Sequence, residues 1–368
     1  MPQEAPQDFP QILRQTIEQR TPLRRAEAAA AMQAILADAG NQIPDAQIAA
    51  FLAALAVRGV AAEELAGFVD AMRAAAVPMP IGDAERAHLV DTCGTGGDGS
   101  GTFNISTGAA LVAAAAGARI AKHGNRGITS RCGSADVLEA LGVPVHLQPV
   151  AAAECLRQTG FVFLFAPNFH PAMRRVQPLR RALGFRTVFN ILGPLANPAG
   201  ARRQVVGVFA RGMAPLLAEA MRLLGVEHGL VVHGSVGTDA AAASAPQQGL
   251  DEISLAGPSL LAELHAGRVT EHDLALGAVG LPAAPLEALA GGDAQQNAEL
   301  LREIFAGQRG PRRDIVVLNA AAALWVAGLA ADLRAGVAQA AEAIDSGAAR
   351  RTLAALVEFG ANAPALSV

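Results

Sequence analysis

Residues 91–107 read DTCGTGGDGSGTFNIST, with glycine at 94, 96, 97, 99 and 101 and another at 108. A short apolar run, His88-Leu89-Val90, precedes this stretch, and an alanine-rich segment follows it. Few arrangements of a chain place so much glycine between a strand and a helix. Glycine lets backbone N–H groups close on an anion, and the start of a helix adds partial positive charge. The stretch therefore predicts a strand–loop–helix unit that wraps phosphate, and with it a phosphorylated substrate.

Length and charge narrow what surrounds that loop. A chain of 368 residues holds one large domain or two. Alanine-rich segments favour helix, while aromatic residues are scarce and tyrosine is absent. The formal charge of −4 creates no field that would gather nucleic acid. Cys93, Cys132 and Cys155 have no CxxC spacing and are odd in number, which argues against a disulfide framework and fits a reducing cytoplasm. Residues 1–10 are polar and proline-rich rather than signal-like. The longest apolar runs, 108–118 and 318–331, are shorter than the ~20 residues of a bilayer span. They read as buried helices of a soluble protein.

Residues 8–77 read as entirely helical. Thr21-Pro22 has the form of a helix start, residues 44–57 carry Ile48, Phe51, Leu52 and Leu55 at helical spacing, and 61–76 carry Leu65, Phe68, Val69 and Met72 on one stripe. Pro78 and Pro80 mark a linker. The expectation is a helical domain over 1–78, providing a dimer face and packing with a helical segment near 170–185, and an α/β domain over 79–368. In the second part, short apolar runs at 89–91, 119–121, 143–147, 161–165, 205–210 and 229–233 alternate with helical stretches. That alternation predicts a mainly parallel sheet covered by helices, with ligands beyond the carboxyl ends of its strands. Residues 235–248 form a low-complexity insert that reads as a surface loop.

Four polar stretches carry the chemistry. The glycine loop contains Asp98, where a plain turn needs no acid, followed by Thr102, Asn104, Ser106 and Thr107. Helix capping accounts for one of the last two, not for all four. The second stretch is Lys122-His123-Gly124-Asn125-Arg126, continuing through Thr129, Ser130, Arg131 and Ser134. It suits phosphate or pyrophosphate; alone, it could equally be a solvated loop with Ser134 capping the next helix. The third holds His170 and five arginines at 174, 175, 180, 181 and 186, either an exposed basic face or a fork for a substrate carboxylate. The fourth is Asp251-Glu252. On a loop, and beside a diphosphate, this pair suits magnesium, which prefers a few carboxylates plus water and phosphate oxygens.

These pieces occur in one order: GTGGD at 94–98, NIST at 104–107, KHGNR at 122–126, HPAMRRV at 170–176, RTVFNILGPLANP at 186–198 and GLDE at 249–252. The set closely resembles the anthranilate phosphoribosyltransferase family over nearly the whole chain. The resemblance implies a homodimer whose subunits have a small helical N-terminal domain and a large α/β domain, a nucleoside phosphorylase/phosphoribosyltransferase-like fold. It implies transfer of a phosphoribosyl group from phosphoribosyl pyrophosphate to anthranilate in tryptophan biosynthesis. Carried over, Gly94, Gly97, Asp98 and Thr102 line the donor site, and Asn104, Ile105, Ser106 and Thr107 bind its phosphates. Lys122, His123, Gly124, Asn125, Arg126, Gly127, Ile128, Thr129, Ser130 and Ser134 continue that site. Asn125 and Arg180 face anthranilate, with His170 near its ring. Ser106, Asp251 and Glu252 hold Mg2+. Asp98, Lys122 and Arg180 carry the catalytic roles.

One departure from the family pattern is the insert at 235–248, which comes between the VHG-like strand end and GLDE and puts the loop geometry of the metal pair in doubt. Two rivals remain at this stage. A pyrimidine nucleoside phosphorylase also has a lysine-led glycine loop but needs no Asp-Glu pair. A non-catalytic nucleic-acid-binding relative would need a long basic stripe, which this chain lacks.

Overall fold

The computed structural model describes residues 8–37, 43–127, 131–237 and 249–362. Its N-terminal layer consists of helices α1 (Phe9–Arg14), α2 (Arg25–Leu36), α3 (Asp45–Arg58) and α4 (Ala62–Ala74). α2 and α4 lie almost in backbone contact. A Cβ on Gly67 of α4 would come within 2.2 Å of Arg25 O, so only glycine permits the approach. The helix expected at Thr21-Pro22 starts later, at Arg25. The Glu27 carboxylate reaches back to Arg24 N at 2.8 Å and sets the start there. Upstream, the buried Leu23 donates its N–H to Glu64 across the layer (2.9 Å), which holds this segment extended.

After α5 (Asp83–Arg86), strands and helices alternate: β1 (Leu89–Gly94), α6 (Ile105–Ala115), β2 (Arg119–Gly124), α7 (Ser134–Leu141), α8 (Pro149–Thr159) and β3 (Phe161–Phe165). Three short helices follow, α9 (Ala166–Phe169), α10 (Gln177–Leu183) and α11 (Phe189–Leu192), then β4 (Arg203–Gly207), α12 (Met213–Leu223) and β5 (His228–Ser235). The chain ends with β6 (Gly249–Leu250), β7 (Ser259–His265), β8 (Arg268–Leu274), α13 (Ala294–Phe305), α14 (Pro311–Val326), α15 (Leu333–Asp345) and α16 (Ala348–Asn362). The sheet order is β3-β2-β1-β4-β5-β7-β8, with β6 also on β5. Pairing is parallel from β3 to β5 and antiparallel beyond.

The β7–β8 hairpin did not show in the strand pattern. It turns at Ala266-Gly267, both at positive φ (49° and 75°), the geometry that matches strand twist. The run at 143–147 buries Val143, Val145 and Leu147 alternately, as a strand would, yet joins no sheet. Pro144 inside it lacks an N–H for the ladder.

Both faces of the sheet are covered in its parallel part, where strands alternate between two cores, while the edge strand β8 is largely exposed. Val205, Leu230 and Val232 pack with α6 and α14. Val206 and Val231 pack with α12 and, through it, with the N-terminal helices. Val176, Val188, Phe189 and Leu192 share that second core, and Arg175 pairs with Asp45 at 2.7 Å. Among the described residues, no helix is long and apolar enough to cross a membrane.

Glu64 is the electrostatic pin of the N-terminal layer. Fully buried, it accepts from Leu23 N, Ala61 N and the Arg58 guanidinium. Removing one partner of a buried ion pair strands the other. Glu64→Ala should therefore cost about 3–5 kcal/mol of stability, read as a lower denaturation midpoint at unchanged slope. A loss under about 1 kcal/mol would show that the pair behaves as a surface pair.

Candidate active site at the strand carboxyl ends

β1 and β4 end side by side at Gly94 and Gly207. A Cβ on Gly94 would lie 2.2 Å from Asp251 Oδ2, and one on Gly207 would lie 1.5 Å from Asp251 O. The two glycines thus form a bare seat on which the Asp251 backbone and side chain rest. Gly96 N donates to Asp251 Oδ2 at 2.8 Å, and Asp98 Oδ2 accepts from Asp251 N at 3.4 Å. The neighbouring Glu252 turns to the start of α6, where Ser106 N donates to its Oε1 at 2.9 Å. Lys122, buried at the centre of β2, donates from Nζ to Thr92 O and to Ser106 Oγ. Asp98, Ser106, Lys122, Asp251 and Glu252 therefore share one site, although 154 residues separate Asp98 from Glu252 in sequence (252 minus 98).

Electrostatics explain what this site lacks. Burial pushes the Asp251 carboxyl up to about 7, and the charge on Asp98 adds to the shift. Burial also pushes Glu252 up to about 8, with Asp251 adding to it and Lys122 opposing it. Three carboxylates facing one ammonium favour a further cation. The donors do not close into a cage, and magnesium keeps waters and phosphate oxygens as ligands. The residues present fit that ion.

The chain on the far side of the insert is fixed by the sheet. Gly249 and Leu250 pair antiparallel with Ser235 and Gly234 of β5, which anchors the couplet from the sheet side. Ser235 itself belongs to β5 rather than to a loop, and residues 238–248 lie outside the described residues.

Other predicted residues divide into groups. Thr107 Oγ1 and Ser134 Oγ meet at 3.2 Å where α6 and α7 begin, and Gly133, not Ser134, precedes the helix as its cap. Gly124 packs beside Phe163, where a Cβ would come within 2.7 Å. Asn104 is engaged at both ends of its amide, with Cys132 O at 3.2 Å and Asn297 Nδ2 at 2.9 Å. Thr102 Oγ1 lies 3.1 Å from Ser100 Oγ. Ile105 buries its side chain in the core, so only its backbone borders the loop. Asn125 Oδ1 accepts from Arg126 N. The Arg126 guanidinium turns away to Asp136 and Glu139 of α7 (2.9 and 2.6 Å), while Gly127 N also bonds Asp136. Arg126 thus ties the loop down and does not extend into it. Ile128, Thr129 and Ser130 lie outside the described residues.

On the other side, Arg180 projects over the Phe189 ring at 5.6 Å and, among the described residues, makes no ion pair. His123 and His170 are buried with ring centroids 5.1 Å apart. Burial lowers them to about 3 and about 4, so both imidazoles are neutral. Both Nε2 atoms lack a partner among the described residues.

Sequence reasoning missed Gly207 and Asp91 and left Arg186 as one of five arginines without a role of its own. Gly207 completes the seat for Asp251. Arg186 stacks on Phe209 at 3.9 Å and donates to Gly97 O, bracing the glycine loop. Asp91, buried in β1, accepts from His123 N at 3.0 Å, and burial pushes its carboxyl up to about 6. Only Arg186 carried a signal, as the first residue of the RTVFNILGPLANP segment.

Comparison with known proteins places this site in a family. The profile of the glycosyl transferase family a/b domain matches residues 86–350, and that of the family's helical bundle domain matches 10–76. The anthranilate phosphoribosyltransferase of Solibacter usitatus is 50% identical over 354 residues, covering 96% of this chain and 99% of that one. The crystal structure of the Thermus thermophilus enzyme superposes with a TM-score of 0.85 at 44% identity, covering 95% of this chain and 99% of that one. The Saccharomyces cerevisiae enzyme, solved in complex with PRPP and Mg, superposes at 0.81 with 27% identity, covering 96% and 98%. The chain belongs to the anthranilate phosphoribosyltransferase family.

Proposed function

We infer that this protein transfers the phosphoribosyl group from phosphoribosyl pyrophosphate to the amine of anthranilate, releasing pyrophosphate, as its relatives' names describe. The observation that carries this reading is the buried Asp251-Glu252 couplet on its glycine seat, facing Lys122 and the start of α6. These relatives favour neither the nucleoside phosphorylase nor the nucleic-acid-binding alternative.

The reaction breaks the bond from ribose C1 to pyrophosphate. Positive charge grows on the sugar and negative charge on the leaving group, so positioning and charge stabilisation dominate. Asp251, Glu252 and Ser106 would hold magnesium, which when bound neutralises the departing phosphate oxygens. Lys122 and the backbone N–H groups of the glycine loop would hold the phosphates. Asp98 positions the couplet through Asp251 N. Arg180 would take the anthranilate carboxylate as a fork, aiming the amine at C1. The neutral His123–His170 pair would border the ring without competing for that carboxylate. The aromatic amine is uncharged at neutral pH, so attack needs no strong base.

We also propose a homodimer through the N-terminal helices, where Val57 is 90% and Ile17 46% exposed. Sedimentation giving the mass of one chain would remove that assignment. The division near residue 78 and a cytoplasmic location complete the proposal. The three cysteines are buried and joined in no disulfide, as suits a reducing compartment.

Loss of anthranilate fluorescence should require both magnesium and phosphoribosyl pyrophosphate, and Asp251→Ala with Glu252→Ala should reduce turnover by about a thousandfold or more. Near-normal turnover in the double variant would remove the couplet from the chemistry. Arg180→Ala should raise the anthranilate KM by about tenfold or more and leave that of the donor nearly unchanged. An equal rise for both would refute the fork.

The raised carboxyls also set a pH dependence. The unfolded chain releases their protons near pH 4, whereas the folded, ligand-free protein holds them to about 7 and about 8. The native state then binds more protons, so its stability falls as pH rises through that window. Asp251→Asn with Glu252→Gln should flatten the fall in thermal melts recorded without magnesium. An unaltered slope would locate its source elsewhere.

A further inference from the structure

The turn after α11 has an unusual bonding pattern. Three consecutive carbonyls, from Gly193 to Leu195, each accept from a side chain on a different part of the fold. Gly193 O takes His123 Nδ1 at 3.1 Å, and Pro194 O takes Gln204 Nε2 at 3.1 Å. Leu195 O takes two donors from Arg73 of α4, Nε at 3.1 Å and Nη2 at 2.7 Å. The His170 ring packs beside the His123 ring, with centroids 5.1 Å apart. The turn is a tight 3-10 segment in which Ala196 N donates back to Gly193 O, so its carbonyls cannot reorient one at a time.

One of these bonds decides a protonation pattern. A carbonyl only accepts, so the His123 imidazole keeps its proton on Nδ1, facing Gly193 O, and its Nε2 is left as an acceptor with no partner among the described residues. Arg73 sets the turn itself. Its guanidinium pairs with no carboxylate among the described residues, and two of its nitrogens converge on a single neutral oxygen. Packing alone needs no cation there. A charge-assisted two-point bond does fix the direction of one carbonyl. A second tie acts nearby: Val77 N, just past α4, donates to Phe169 O at 2.8 Å, next to His170. The end of α4 thus braces both the turn and the chain that carries His170.

We propose that Arg73 is a positioning residue for the acceptor half of the site, acting through the Gly193–Leu195 carbonyls on the tautomer of His123 and on the placement of the His123–His170 pair. This rests on the reading that the histidine pair borders the aromatic acceptor. It makes the N-terminal helices part of acceptor recognition.

The test compares Arg73→Met and Arg73→Lys with the parent protein. It reads the KM of each substrate and the histidine tautomers in long-range proton–nitrogen spectra of the ligand-free chain. Arg73→Met should raise the anthranilate KM about tenfold, hold the donor KM within about twofold, and shift His123 partly to the Nε2–H form. Arg73→Lys, with one point donor for the same carbonyl, should fall between the two. Unchanged tautomers with an unchanged ratio of the two KM values would overturn the proposal, and so would an equal rise in both. If Arg73→Met does not fold, Arg73→Lys is judged alone: about a threefold rise for anthranilate only supports the role, and parent-like tautomers and KM overturn it. The tautomers are read without turnover, so a parent protein inactive on anthranilate would sink the functional reading while still judging Arg73.

Discussion

The close approach of Asp251 to the ends of β1 and β4 is the constraint on which the site depends. The Asp251 side chain lies where a side chain at 94 would stand and its backbone where one at 207 would, and only glycine at both positions leaves that space. The contact places two carboxyl groups above the sheet, within reach of the glycine loop and the first turn of α6. Sheet pairing of β6 with β5 secures the same loop from its other side. A site built from strand ends inherits the rigidity of the sheet, and catalysis by positioning requires that rigidity.

The same arrangement is costly to the resting protein. Asp91, Asp251 and Glu252 are buried carboxyl groups whose pKa values rise because the surroundings do not fully replace water. Lys122 opposes this and is itself held by Thr92 O and Ser106 Oγ. In the proposed reaction a divalent cation and a polyanionic substrate would complete the balance together. The proposed acceptor side is the reverse: neutral histidines and a half-buried arginine over an aromatic ring.

The helical layer does more than cover one face of the sheet. Arg25 links α2 to Leu223 O at the end of α12, Arg73 holds Leu195 O, and Arg175 bonds Ile43 O and Asp45. Each of these is an arginine crossing between helices distant in sequence. The layer and the catalytic sheet consequently share one hydrophobic core.

Much of this was legible in the chain. Glycine spacing and the apolar run before it implied the β1–loop–α6 unit, because glycine has few other uses there. Alternating apolar runs implied the parallel sheet, and the order of polar motifs implied the chemistry. What sequence could not show are contacts whose partners carry no local signal. Gly207 reads as one more strand residue until Asp251 is laid on it. Arg126 reads as a phosphate ligand until α7 presents Asp136 and Glu139. Pro144 defeats a strand that alternation alone would allow. The residues determined which groups are available and which segments are helix or strand. Only the tertiary structure decided which of them meet, because bringing Asp98, Lys122 and Glu252 together depends on packing between segments far apart along the chain.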